Sequence, residues 1–286
     1  MNRATTNAIA RFFTSFRMTA KTMPHDPLNE GEITTGLATK RLGRKVYALV
    51  EVDSTNTYAM KLAAAGEPEG SLVVSEFQTG GRGRLGRKWV SPPGANITMS
   101  LILRPDMPPA DAPLITLAAS VALVKSVKGM YGLHSGIKWP NDLMVKDRKM
   151  AGVLTEMSAG TDRIRHVILG VGIDVNMKEG DFPDEIRGLS TSVMLETGGP
   201  VERASLLRRF IEEFEPLYEV LLAGEKGRII AEWRENSCTL GRRVTVHTPR
   251  GEVSGIARDI DESGALILDT DEGETETVTA GDVGFI

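Results

Sequence analysis

A single cysteine, Cys238, stands in a chain of 286 residues. That excludes an intramolecular disulfide and a cysteine-rich metal site, fits a reducing compartment, and leaves a thiol that reads as buried and inert rather than nucleophilic. The 4 histidines are scattered and show no triad-like or metal-binding spacing, which removes the usual routes to a serine nucleophile or an imidazole-held metal. No apolar run approaches the ~20 residues of a membrane span, and no uninterrupted secretory h-region is visible. Internal repeats are lacking too. A net charge of −4 is the wrong sign for a protein that coats nucleic acid. What remains, 41% hydrophobic and 25% charged residues, is the composition of an ordinary globular protein, long enough for one large domain and a smaller partner.

The first ~25 residues carry Arg3, Arg11, Arg17 and Lys21 before the first acid, Asp26, with Ile9, Phe12, Phe13 and Phe16 at helical spacing. A mitochondrial transit peptide has this composition. So does an extension ahead of a true start at Met18 or Met23, and this second reading is the one adopted, with cytoplasmic residence. Residues 24–40, rich in Pro, Gly, Thr and Glu, read as a linker, so that residues 1–41 together form an N-terminal extension without fixed structure, of which deleting residues 1–40 should cost little.

Order is expected from "KVYALVEVDSTN" onward: a strand through Tyr47, Leu49 and Val52, then a helix capped by Ser54, Thr55 or Asn56 and stopped by Gly66. "SLVVSEFQ" (71–78) and "NITMSLIL" (96–103) read as strands. Helices are predicted over 112–130 and about 202–223 from their apolar faces. "GIKWPNDLMV", "KMAGVLTEMS" and "RHVILGVGIDVN" read as further strands of an antiparallel-leaning sheet, because their connections are too short for crossover helices. After "AEWRENSCTLG" the texture changes to short alternating strands separated by "TPRG", "DESG" and "DEG", a small barrel of about fifty residues. The fold class is thus α+β, with domains expected at 42–236 and 237–286.

Between two of those strands lies "TGGRGRLGRKW" (79–89), in which Gly80, Gly81, Gly83 and Gly86 alternate with Arg82, Arg84, Arg87 and Lys88 and no acid intervenes. Glycines let such a loop close on a ligand, and each arginine offers a planar fork for phosphate or carboxylate. It is not a Walker A loop, since no Gly-Lys-Ser/Thr ends it, nor a dinucleotide fingerprint, since no crossover helix follows. A solvated basic loop or an RNA-touching segment remains open from composition alone. A second cluster, "KWPND" (138–142) with "KMAG" (149–152), sets Lys138 and Lys149 beside Asn141 and Asp142, a mix suited to phosphate charge, nucleotide hydrogen bonds and Mg²⁺. Trp139 reads there as core. A third, "GVGIDVN" (170–176), lets a ligand approach the backbone at Gly170 and Gly172, unless these are strand glycines at a bulge.

"DSTN", "GRGRLGRKW", "KWPNDLMV", "KMAGVLTE" and "GVGIDVN", in this order and followed by a terminal small barrel, resemble the biotin protein ligase family over roughly residues 46–286. The resemblance implies a mixed sheet flanked by helices, related to class II aminoacyl-tRNA synthetases, with an SH3-like barrel. It implies an enzyme that joins biotin to ATP as biotinyl-5′-adenylate and passes biotin to one lysine of a biotin carboxyl carrier protein, such as an acetyl-CoA carboxylase subunit. Biotin would lie against Ser54, Thr55, Asn56, Gln78, Gly81, Arg82, Gly83, Lys149, Gly152 and Gly170. ATP or the adenylate would be served by Arg84, Arg87, Trp89, Lys138, Asn141, Lys149, Asp174 and Asn176, with Lys149 and Arg84 as the catalytic cations and Mg²⁺ at Asp142 and Asp174.

The chain departs from the family in two places. Residues 1–45 are too short and unpatterned for the winged helix-turn-helix of many bacterial relatives, so no DNA partner is expected, and no membrane, for a monomer or homodimer. Asp174 stands where the family usually has asparagine. Rival readings are a lipoate ligase or octanoyltransferase of the same fold and a non-catalytic RNA-binding protein.

Overall fold

The computed structural model describes residues 26–249 and 251–286. The readings made for residues 1–25, transit peptide or displaced start, lie outside the described residues. Seven strands, β1 (Lys45–Val52), β2 (Ser71–Gln78), β3 (Ile97–Leu103), β4 (Gly136–Lys138), β5 (Asp142–Val145), β6 (Arg148–Ala159) and β7 (Ile164–Ile173), form one sheet in the order β1-β2-β3-β7-β6-β5-β4. Only β1 and β2 run parallel, and the pair is bridged by a helix, as a parallel connection requires. All other neighbours are antiparallel.

The near-continuous apolar runs of β2, β3 and β7 follow from burial of the sheet on both faces. Val73, Ile102 and Ile168 point to one side, where helix α2 (Thr55–Ala64) covers them with Ala59, Leu62 and Ala63. Their chain neighbours Leu72, Val74, Leu101, Leu103, Val167 and Leu169 point to the other, into the main core. That core is closed by α3 (Ala112–Tyr131), α5 (Arg203–Leu222) and α6 (Lys226–Glu235), while a short α4 (Val193–Thr197) follows β7. Residues 109–131 make a helix long and apolar enough to cross a membrane, contrary to the expectation that no such run exists. Its most apolar window is 78% buried within the fold, so its hydrophobicity is that of a core helix under a sheet.

The expected linker is a correction in the part that can be described. Residues 26–41 form a strap laid along α5, containing the short helix α1 (Glu30–Thr34), and Leu28, Ile33, Leu37 and Leu42 are buried in the main core. The amides of Lys40, Arg41 and Leu42 donate to the Glu215 carboxylate at 2.6, 2.8 and 2.9 Å. Burial pushes that carboxyl up, but the three amide bonds outweigh it and hold Glu215 below the ordinary glutamate range. A second correction concerns "KWPND", which is not one strand but a corner: β4 ends at Lys138 and β5 starts at Asp142.

The C-terminal strands β8 (Arg243–Thr248), β9 (Gly251–Ile260), β10 (Leu266–Thr270), β11 (Thr275–Val278) and β12 (Asp282–Phe285) make an antiparallel sheet in the order β11-β10-β9-β8-β12, the SH3-like barrel expected. It is docked against the corner. Trp139, buried as expected, donates its amide to Thr239 Oγ1 at 2.8 Å and its indole Nε1 to the Gly264 carbonyl at 2.9 Å. Cys238 is part-buried, and burial pushes its thiol up to about 11, which keeps it unreactive.

Candidate functional site

One cavity of about 670 Å³ opens where the ends of β2, β4, β5, β6 and β7 meet the N-terminus of α2, the basic loop and the barrel. Every site residue expected from the sequence lines it except Gly81 and Asn176. Gly81 closes the neck of the basic loop, where its carbonyl accepts from the Trp89 amide at 3.0 Å. Asn176 is turned away, contrary to its expected place at the nucleotide: its amide nitrogen donates to the Val201 carbonyl and its oxygen accepts from the Val201 amide, each at 2.9 Å.

One side of the cavity is a set of hydroxyls and amides fixed by one another. Ser54 occupies the N-cap of α2, but its hydroxyl makes no cap bond and it lines the cavity instead. Thr55 donates both its amide and its hydroxyl to Gln78 Oε1, at 2.7 and 3.1 Å. Asn56 donates to the Leu154 carbonyl and to Glu156 Oε2 and accepts from Ser100 at 2.6 Å. Gly170 has to lack a side chain here, because a Cβ would stand 2.2 Å from Asn56 Oδ1.

The opposite side is charged. Lys149, near the start of β6, holds Nζ 2.6 Å from Asp142 Oδ1 and 5.8 Å from the centre of the Trp89 ring. That carboxylate oxygen is buried yet has no partner in hydrogen-bonding geometry, as is true of Trp89 Nε1. The Trp89 indole can approach β7 this closely because residue 172 is glycine; a Cβ would meet Trp89 Cε2 at 2.5 Å. Asp174 at the end of β7 is buried and accepts from Asn96 Nδ2 at 2.7 Å. Burial drives its carboxyl well above the ordinary range, against the opposing pull of Lys149 and the Asn96 bond.

The basic loop spans both sides. Arg82 reaches Glu156 Oε2 at 3.0 Å and Thr57 at 3.3 Å. Arg84 donates to Asn141 Oδ1 at 3.0 Å, and burial lowers its guanidinium, with Asp142 and Asp282 pulling the other way. Arg87 pairs with Asp282 of β12. The loop is thereby anchored to the sheet by Arg82, to the corner by Arg84 and to the barrel by Arg87. Phe285 of β12 lies under the Arg242 guanidinium at 3.6 Å and Lys138 Nζ at 5.5 Å, and both cations line the cavity.

Sequence reasoning missed Ser100 and Glu156, which fix Asn56 and Arg82, and the barrel's Arg242, Asp282 and Phe285. Thr98 and Ser100, alternating with apolar residues in "NITMSLIL", were a signal for Ser100. The barrel residues gave none, because their relevance depends on how two separately folded sheets dock.

A model of the Biotin/lipoate A/B protein ligase family matches residues 49–174, and one of the Biotin protein ligase C terminal domain matches residues 239–285. The bifunctional ligase/repressor BirA of Bacillus subtilis is 39% identical over 246 residues, 86% of this chain and 76% of that protein. The biotin–acetyl-CoA-carboxylase ligase of Mycobacterium tuberculosis is 34% identical over 274 residues, 93% of this chain and 98% of the relative. Among solved structures, the biotin protein ligase of Aquifex aeolicus in complex with biotin and ATP superimposes with a TM-score of 0.67 at 28% identity, covering 85% of this chain and 99% of that one.

Proposed function

Since the chain belongs to the biotin protein ligase family, we propose that it condenses biotin with ATP to biotinyl-5′-adenylate, releases pyrophosphate, and transfers biotin to one lysine of a biotin carboxyl carrier protein. The observation that carries this reading is the two-sided cavity: a rigid hydroxyl and amide set faces a cluster of cations, and one arginine-rich loop spans them.

In this reading Ser54, Thr55, Asn56 and Gln78 hold the uncharged ring system of biotin, with Gly152 and Gly170 leaving room for it. Arg82 and Gly83 cover that half from the loop, and Gly81 closes the loop's neck. Lys149 and Arg84 face the atoms that react. The biotin carboxylate is the nucleophile, so no protein nucleophile is needed. As it attacks the α-phosphate, negative charge accumulates on the phosphoryl oxygens, and a cation fixed beforehand about 3 Å away contributes on the order of 10²–10³ in rate. Arg87, Trp89, Lys138 and Asn141 complete the nucleotide half, where the buried Trp89 Nε1 lacks a hydrogen-bonding partner in the protein.

Mg²⁺ would be held in this half by Asp142 and, once it gives up the proton that burial favours, by Asp174, a sparse carboxylate set of the kind that suits an ion carried in on phosphates. Among the described residues no group of three or more His, Cys, Asp or Glu gathers to hold a metal by itself. When bound, the ion would supply positive charge that offsets that of the phosphates. Cytoplasmic residence, a monomer or homodimer, and no DNA or membrane partner belong to the same reading.

The test is chemical. Incubation with ATP and either biotin or lipoate, followed by mass detection of the adenylate, should give the biotin product alone; a lipoyl adenylate in its place would assign the chain to the lipoate branch of the fold.

A further inference from the structure

Behind the cavity wall, one arginine that takes no part in the chemistry above joins three separate segments. Arg203 opens α5 and is 0% exposed. Its Nη1 donates to Glu76 Oε2 at 2.7 Å and to the Asn96 carbonyl at 3.2 Å. Its Nη2 donates to the Asp26 carbonyl at 2.6 Å and to Glu76 Oε1 at 3.3 Å. Nε faces the Asp26 carboxylate at 3.3 Å, and the Arg203 amide donates to Asp26 Oδ2 at 2.9 Å. A partner therefore meets each N–H of the guanidinium, and a planar fork so satisfied has one geometry rather than several.

The segments it joins bear unequally on the cavity. Glu76 lies in β2, whose register is also fixed by β1 and β3 on either side, so Gln78 does not depend on Arg203 for its position. Asn96 lies in the turn before β3 and has no ladder of its own. Its carbonyl is held by Arg203, while its side chain donates to Asp174 Oδ1 at 2.7 Å and accepts from the Val175 amide at 2.9 Å. Asp26 begins the strap that runs over α5 to Leu42.

We propose that Arg203 is a positioning residue for the nucleotide half of the site: through Asn96 it fixes the carboxylate of Asp174, and through Asp26 it makes that position depend on the docked strap. The inference rests on the assignment of the Asp174 side of the cavity to ATP. Arg203→Lys keeps the charge and loses the fork; Asp26→Ala removes the strap's carboxylate from the part-exposed end of the network. The readouts are kcat and KM for ATP in biotin-dependent pyrophosphate exchange, and biotin Kd by calorimetry without ATP.

Arg203→Lys should raise the ATP KM about tenfold and Asp26→Ala about threefold, with biotin Kd within about twofold of the parent chain. A brick of the core with no positioning role would weaken both ligands alike, and that result overturns the inference, as does an ATP KM within about twofold in both variants. A rise in Arg203→Lys without one in Asp26→Ala overturns the strap's part. If Arg203→Lys loses its cooperative melt, Asp26→Ala decides alone. Failure of the underlying ATP assignment would look different, since Lys149→Ala would then also leave the ATP KM unchanged.

Discussion

Removing residues 1–41 deletes a segment that composition marks as dispensable, although packing marks its described part, residues 26–41, as structural. Leu28, Ile33 and Leu37 are 3%, 0% and 4% exposed. Burial of each is worth about 1.5–3 kcal/mol, so the three together contribute about 5–9 kcal/mol. The deletion also takes Asp26 from the buried Arg203, which keeps Glu76, and two of the three amides from Glu215, leaving buried charge less fully compensated. The total matches the ~5–15 kcal/mol that holds a typical domain folded. The truncated chain should therefore show no cooperative calorimetric transition. Within the full chain, Ile33→Ala should cost about 2–5 kcal/mol. At ~2–4 °C per kcal/mol for a chain of this size, that is a fall in Tm of about 4–20 °C. A truncated chain that melts cooperatively within about 2 °C of the parent would refute the reasoning, because the buried strap would then contribute nothing.

Lys149→Ala should abolish adenylate formation, with Tm shifted by no more than about 3 °C, since its partly exposed side chain pairs with one carboxylate and adds little to the core; unchanged pyrophosphate release would remove it from the mechanism. Arg84→Gly should still form adenylate but retain it poorly, because the loop loses its tie to Asn141; labelling of lysines on an unrelated protein should rise, and no rise would refute the clamp. Asp174→Asn concerns stability against pH. Because burial raises the carboxyl of Asp174 in the folded chain, the native state keeps a proton that the unfolded state has released once pH exceeds the ordinary aspartate range. Stability is then lost as pH rises through that window. The amide should flatten this loss and leave the variant more stable at pH 7.5 than the parent; equal urea midpoints for both chains at pH 4.5 and 7.5 would contradict it.

The basic loop was legible because glycine and arginine at that density leave few physical purposes open, and the barrel because its turn residues recur at short intervals. The strap was not, since its apolar residues are spaced four or five apart within Pro, Gly, Thr and Glu, and only docking on α5 gives them a common face. Helix α6 escaped because Ile229, Ile230 and Trp233 are too few to establish a period. Asn176 was over-read for the opposite reason: it adjoins a glycine-rich strand end that faces the cavity, but the next turn of chain points its amide at Val201. The side chains that tie the loop down, Glu156 on β6 and Asp282 on β12, are separated from it by more than seventy residues, so no local pattern could pair them.

The measurement closest to the central claim is the mass of an apo carrier protein after incubation with this chain, ATP and biotin. The expected result is a gain of one biotinyl group on one lysine, dependent on ATP and lost when that lysine is replaced by arginine. An unchanged carrier mass, with the chain folded and the same carrier accepting biotin from an established ligase, would contradict it.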